Sequence, residues 1–152
     1  METVYRGLYF EDFEIGREFR SPGRTVTEAD TVLFAGLSGD FNPLHMNESF
    51  AAQSPYGRRM AHGALVQSLM TGMIAQLGIF EGTTVALRRL DSTFKNPVFF
   101  GDTLVATIQV DDRKELRGRP QGIVTFRTRM INDDEKTVAE GKWILLLQRR
   151  GS

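Results

Sequence analysis

The only two histidines of the chain, His45 and His62, lie seventeen residues apart in one aperiodic stretch. The first closes the run Asp40-Phe41-Asn42-Pro43-Leu44-His45. The second is followed at once by Gly63 and a long apolar segment. An aspartate beside an imidazole suits general acid–base work on water: one group takes a proton, the other orients the water or returns a proton. Five residues of separation in a non-helical loop do not by themselves make the pair meet, but Pro43 fixes a bend that can bring them together. Asn42 adds an amide able to hold the loop or to bind a carbonyl. Asp, Asn and Pro are also common turn formers, so a plain turn is the competing reading of the same residues. At His62-Gly63 the backbone, not a side chain, offers the chemistry. The first amides of a helix have no internal partners and carry partial positive charge. A glycine there lets a carbonyl oxygen approach closely. The N–H of Gly63 is thus a candidate donor to a developing oxyanion. Close packing of the helix start is the alternative reason for the glycine.

The elements that must position these groups can be read from periodicity. Thr27-Glu28-Ala29-Asp30 opens a helix with Thr27 as cap and Asp30 reaching back, Leu33, Phe34 and Leu37 give it an apolar face, and Ser38-Gly39 ends it. Residues 39–47 follow as a loop, and Asn47 or Ser49 caps a short helical turn over 48–53. The main helix is predicted from about His62 to Leu77, ending at Gly78. Its apolar residues cover more than one stripe, which predicts burial on most sides, with Leu69, Met70 and Met73 against a sheet. From Thr83 onward the period is two. One long strand is predicted to Lys95, then strands over 103–114, from Ile123 to Met130 and over Thr137–Gln148, with turns at Gly101-Asp102, Arg117-Gly118-Arg119-Pro120 and Asn132 to Lys136. Helical first half plus antiparallel meander gives an α+β domain whose sheet wraps around the central helix.

Composition narrows the function classes. At 152 residues the chain is read as one domain, residues 1–152. Nineteen Lys and Arg balance nineteen Asp and Glu, so nothing pulls the protein toward nucleic acid or an anionic membrane. Without cysteine there is no disulfide, thiolate nucleophile or cysteine-based zinc site, which fits a reducing cytoplasm. Two histidines argue against a His-rich metal centre, so no metal and no cofactor is expected. Met1 to Arg6 carries no basic-then-apolar signal pattern, and no apolar run reaches membrane-spanning length. Arg58-Arg59, Arg88-Arg89 and Lys95 are candidate contacts for a ligand phosphate, with solvated surface charge as the plainer reading.

Asp40-Phe41-Asn42-Pro43-Leu44-His45 matches the D-x-N-P-x-H hydratase motif, and Met60-Ala61-His62-Gly63 with its apolar helix matches the partner segment. With Phe34-Ala35-Gly36-Leu37-Ser38-Gly39 before and Phe94-Lys95-Asn96-Pro97-Val98-Phe99-Phe100-Gly101-Asp102 after, the chain resembles the MaoC-like dehydratases and (R)-specific enoyl-CoA hydratases of the hotdog fold, over about residues 8–148. The resemblance implies a hydro-lyase. It would add water to a trans-2-enoyl thioester to give the (R)-3-hydroxyacyl thioester, and run the reverse dehydration. It assigns Asp40 and His45 to the attacking water and Gly63 to the thioester oxyanion. Asn42, His62 and Thr71 are assigned to substrate binding; Thr71 stands where well-known members carry a serine on the central helix. It further implies an acyl-CoA substrate and a homodimer or dimer of dimers joined through sheet edges. The competing readings are a hotdog acyl-CoA thioesterase, which would lack the Asp40 to His45 motif, and a non-catalytic acyl-thioester-binding subunit.

Overall fold

The computed structural model describes residues 1–151. A 3₁₀ turn (Phe10–Asp12) and two short strands, β1 (Glu18–Arg20) and β2 (Arg24–Thr25), precede three helices: α1 (Glu28–Ser38), α2 (Pro43–Met46) and α3 (Glu48–Ala52). The long helix α4 (Gly63–Ala75) leads into β3 (Thr84–Leu90), β4 (Thr93–Phe94), β5 (Thr103–Glu115), β6 (Gln121–Ile131) and β7 (Thr137–Gln148). All strand pairings are antiparallel, in the order β1-β5-β6-β7-β3, with β2 also on β5 and β4 also on β7.

Strict alternation builds the inner face of the sheet. On β5, Leu104, Ala106, Ile108 and Val110 are buried while the residues between them are half-buried. Val124, Phe126 and Met130 of β6 and Trp143, Leu145 and Leu147 of β7 continue that face. Helix α4 lays Leu65, Val66, Met70, Met73 and Ile74 into the same core. Each large apolar side chain so buried contributes about 1.5–3 kcal/mol. The α+β arrangement predicted from periodicity is thus the observed one, the hotdog fold. Among the described residues no helix is long and apolar enough to cross a membrane.

Four local expectations need correction. The helix starts at Gly63, with His62 as its N-cap, and stops at Ala75; Gly78 then turns the chain at φ 76°. It is not buried on most sides: Ala64, Ser68, Thr71, Ala75 and Gln76 are exposed, and Leu69 is only half-buried. The large apolar residues share the buried side of the helix, and the exposed positions carry small or polar side chains. The strand predicted through Lys95 breaks after Leu90. There Asp91 bonds Lys142 through both its backbone and its carboxylate, so a side chain replaces the regular ladder. Finally, 43–46 is a turn of helix rather than loop, since Asn42 caps it and Pro43 occupies its first position.

Candidate active site

The segment after α1 is folded by its own side chains. Gly39 ends the helix at φ 80°, a left-handed conformation that glycine adopts without strain, and its N–H returns to Ala35 O at 2.8 Å. The Asp40 N–H donates to Ser38 Oγ at 3.1 Å, the Asn42 N–H to Asp40 Oδ1 at 3.1 Å, and the Leu44 N–H to Asn42 Oδ1 at 3.0 Å. Three successive bonds, each reaching two residues on, turn the chain and deliver His45 onto α2. One carboxylate oxygen of Asp40 therefore has a backbone partner, while the side chain stays exposed. Asn42 spends its carbonyl oxygen on the cap.

His45 is half-buried, with Nδ1 2.7 Å from Met60 O. A carbonyl only accepts, so the proton sits on Nδ1 and the neutral ring presents the Nε2 lone pair. Met60 is held in turn: it bridges Phe99 across the chain, and Ala61 N donates to Val98 O at 2.8 Å. The next residue back, Arg59, ties α1 to α3 through Glu28 at 2.9 Å and Glu48. Its side chain is only 15% exposed, and its hydrogen bonds to Glu48 and then Glu28 raise the guanidinium pKa further above its ordinary value. In the sequence Arg59 reads as a candidate phosphate contact or, more plainly, as solvated charge, and Met60 carries no signal of its own. A backbone carbonyl leaves no signature in residue type, and the partners of Arg59 lie 11 and 31 residues away.

His62 lies beneath this pair. It is 1% exposed, its Nε2 donates to the backbone carbonyl of Asp40 at 2.8 Å, and its ring stacks on that of His45 with centroids 3.9 Å apart and planes at 30°. Phe34 of α1 packs on the ring at 5.0 Å. Helix α4 begins immediately after. Among the described residues no side chain caps its first amides, so the Gly63 N–H stands at an uncapped, electropositive helix start. The half-exposed ring of Phe94 packs over Gly63, and a Cβ there would lie 3.2 Å from its Cε2 and Cζ.

Asp40, His45, His62 and Gly63 are thereby brought together; Thr71 is not. It is exposed, donates its hydroxyl to Gln67 O at 3.0 Å, and stands eight residues beyond Gly63, about 12 Å along the helix axis. Of the cations considered for phosphate binding, Arg59 is committed to its two glutamates, Arg89 to Asp91 and Lys95 to Glu140, while Arg58 lies over the Phe99 ring. Among the described residues, Asp40, His45 and His62 form the one group able to hold a metal ion, each offering a ligand atom within 4.8 Å of the others. Ring nitrogens bind along in-plane lone pairs, and two rings stacked at 30° direct those side by side rather than toward one centre. The Asp40 carboxylate and the His45 ring lie close enough for one water to reach both.

A model of the MaoC-like domain matches residues 12–130. An (R)-specific enoyl-CoA hydratase from Rhodospirillum rubrum is 35% identical over 143 residues, 94% of each chain. The solved structure of an Archaeoglobus protein described as a monoamine oxidase regulatory protein superposes with a TM-score of 0.87 at 33% identity, over 94% of this chain and 95% of that one. A Mycobacterium tuberculosis protein described as a double hotdog matches at TM-score 0.80 and 22% identity, a likeness of fold. The match covers 96% of this chain and 46% of that one.

Proposed function

The chain belongs to the MaoC-like domain family, and from that premise we propose that it is a hydro-lyase adding water across trans-2-enoyl-CoA to give (R)-3-hydroxyacyl-CoA, and running the reverse dehydration. The observation that carries this reading is the juxtaposition of a carboxylate and a free imidazole nitrogen beside an uncapped helix start. The water oxygen bonds to C3 as its proton passes to the Asp40 carboxylate. His45 holds that water by accepting its other hydrogen at the Nε2 lone pair. The proton taken by Asp40 then passes by way of His45 Nε2 to C2, which restores both groups. The negative charge that builds on the thioester oxygen as C3 is attacked falls to the Gly63 N–H, because C2 becomes carbanion-like only if that oxygen is stabilised at the same moment. Asn42 supports the reaction by holding the turn, and Thr71 belongs to the exposed helix face that an acyl chain or a second subunit would cover.

The unit of function in this reading is one hotdog domain comprising residues 1–152, paired as a twofold homodimer in the cytoplasm. Support for pairing comes from the edge strand β3: it has one sheet neighbour, and Val85 and Leu87, with Phe94 next along, are 45–51% exposed. The test is purified protein with crotonyl-CoA, followed by loss of the enoyl-thioester absorbance, with chiral analysis of the product and a parallel assay for free CoA thiol. Formation of (R)-3-hydroxybutyryl-CoA without thiol release is expected. Thiol release would make the protein a thioesterase, and binding without turnover a non-catalytic subunit.

A further inference from the structure

We propose that His62 is a positioning residue for this hydration rather than a substrate contact: its buried ring fixes the Asp40 main chain at one side and the imidazole of His45 at the other. The proposal rests on the hydratase reading for its catalytic consequence, and on geometry alone for the contacts. His62 is the residue through which the start of α4 reaches the Asp40 loop. Its Nε2–H donates to the Asp40 carbonyl at 2.8 Å, and its face lies 3.9 Å from that of His45. At 1% exposure it has almost no surface to offer a substrate. Its second nitrogen, Nδ1, is buried with no hydrogen-bond partner among the described residues, so the neutral form that fits has its proton on Nε2. His45 has the opposite arrangement, Nδ1–H toward Met60 O and Nε2 free.

Two stacked imidazoles with opposite tautomers thus divide the work. His62 spends its donor on holding Asp40, and His45 keeps its lone pair for the water. Because His62 is also the N-cap of α4, one residue links the positions of the proposed base, the proposed acid and the Gly63 amide. Misplacement of reacting groups by about 1 Å can cost on the order of 10²-fold in rate, which sets the scale of what His62 can contribute without touching substrate.

The test compares His62→Phe, which keeps a ring against His45 but removes the donor, with His62→Gln, whose amide nitrogen reaches the place of Nε2. With crotonyl-CoA, His62→Phe is expected to lower kcat on the order of 10–100-fold at nearly unchanged KM, and His62→Gln to recover a large part of that loss. Long-range nitrogen–proton correlation on the unmodified protein, which has two histidines and so two assignable rings, is expected to show the Nε2–H form for His62 and the less common Nδ1–H form for His45. A raised KM at constant kcat, a Gln variant no better than Phe, or either ring in the other tautomer would overturn the proposal. The spectrum needs neither turnover nor a substituted protein. Lack of hydration by the unmodified chain would therefore sink the hydratase reading while leaving the contacts of His62 to be decided by their tautomers.

Discussion

At the scale of single residues, Gly63 separates packing from chemistry. Gly63→Ala retains the backbone N–H but adds a methyl 3.2 Å from the Phe94 ring, beside the amide proposed to meet the thioester oxygen. That ring is half-exposed and can give by the few tenths of an ångström required, so the variant is expected to fold. Its kcat/KM should fall about 10²-fold, the scale of losing one oxyanion donor. A folded variant with full activity would return Gly63 to a packing role. The turn that carries Asp40 and Asn42 was legible in the sequence because the segment is self-contained: Ser38, Asp40 and Asn42 fold it by bonding their neighbours' amides. What orients His45 was not legible, since it is the carbonyl of Met60, held by a bridge to Phe99 far along the chain.

At the scale of elements, α1 and its caps, the turn at 48–52, α4 and the three long strands could all be read, because each is governed by local capping or by a clean period. The break in β3 could not. It depends on Asp91 meeting Lys142, fifty-one residues away, and on Gly141, where any Cβ would collide with the Asp91 carbonyl. The exposed side of α4 was missed for a related reason: apolar and small residues on several faces look alike whether the cover comes from the same chain or from another. The buried side is unambiguous. Met70 has no exposed surface, so Met70→Asp would bury a lone carboxylate at a cost of several kcal/mol and should abolish soluble, cooperatively folded protein. Met70→Leu, nearly equal in volume, should cost under about 1.5 kcal/mol in denaturant unfolding. Comparable stability of the two variants would mean that α4 does not sit on the sheet.

At the scale of the whole molecule, the open helix face, the apolar edge of β3 and the open start of α4 belong to one neighbourhood, since Phe94 joins the edge strands to Gly63. A second copy covering that edge would bury apolar surface and close the surroundings of the site together. Sedimentation at micromolar concentration is accordingly expected to give a dimeric mass, and Leu87→Lys to shift it toward monomer; a monomer in the unsubstituted protein would contradict the assembly. The proposed function turns on Asp40 and His45 acting as a unit on a single water. The direct test is the hydration rate of Asp40→Asn, His45→Gln and the double variant, with substrate affinity measured alongside. Each single change should lower kcat roughly 10²–10⁴-fold with little change in KM, and the double variant should be little worse than either. If Asp40→Asn kept most of its activity while His45→Gln lost it, the shared-water mechanism would be wrong, and Asp40 would be left only its role in the turn.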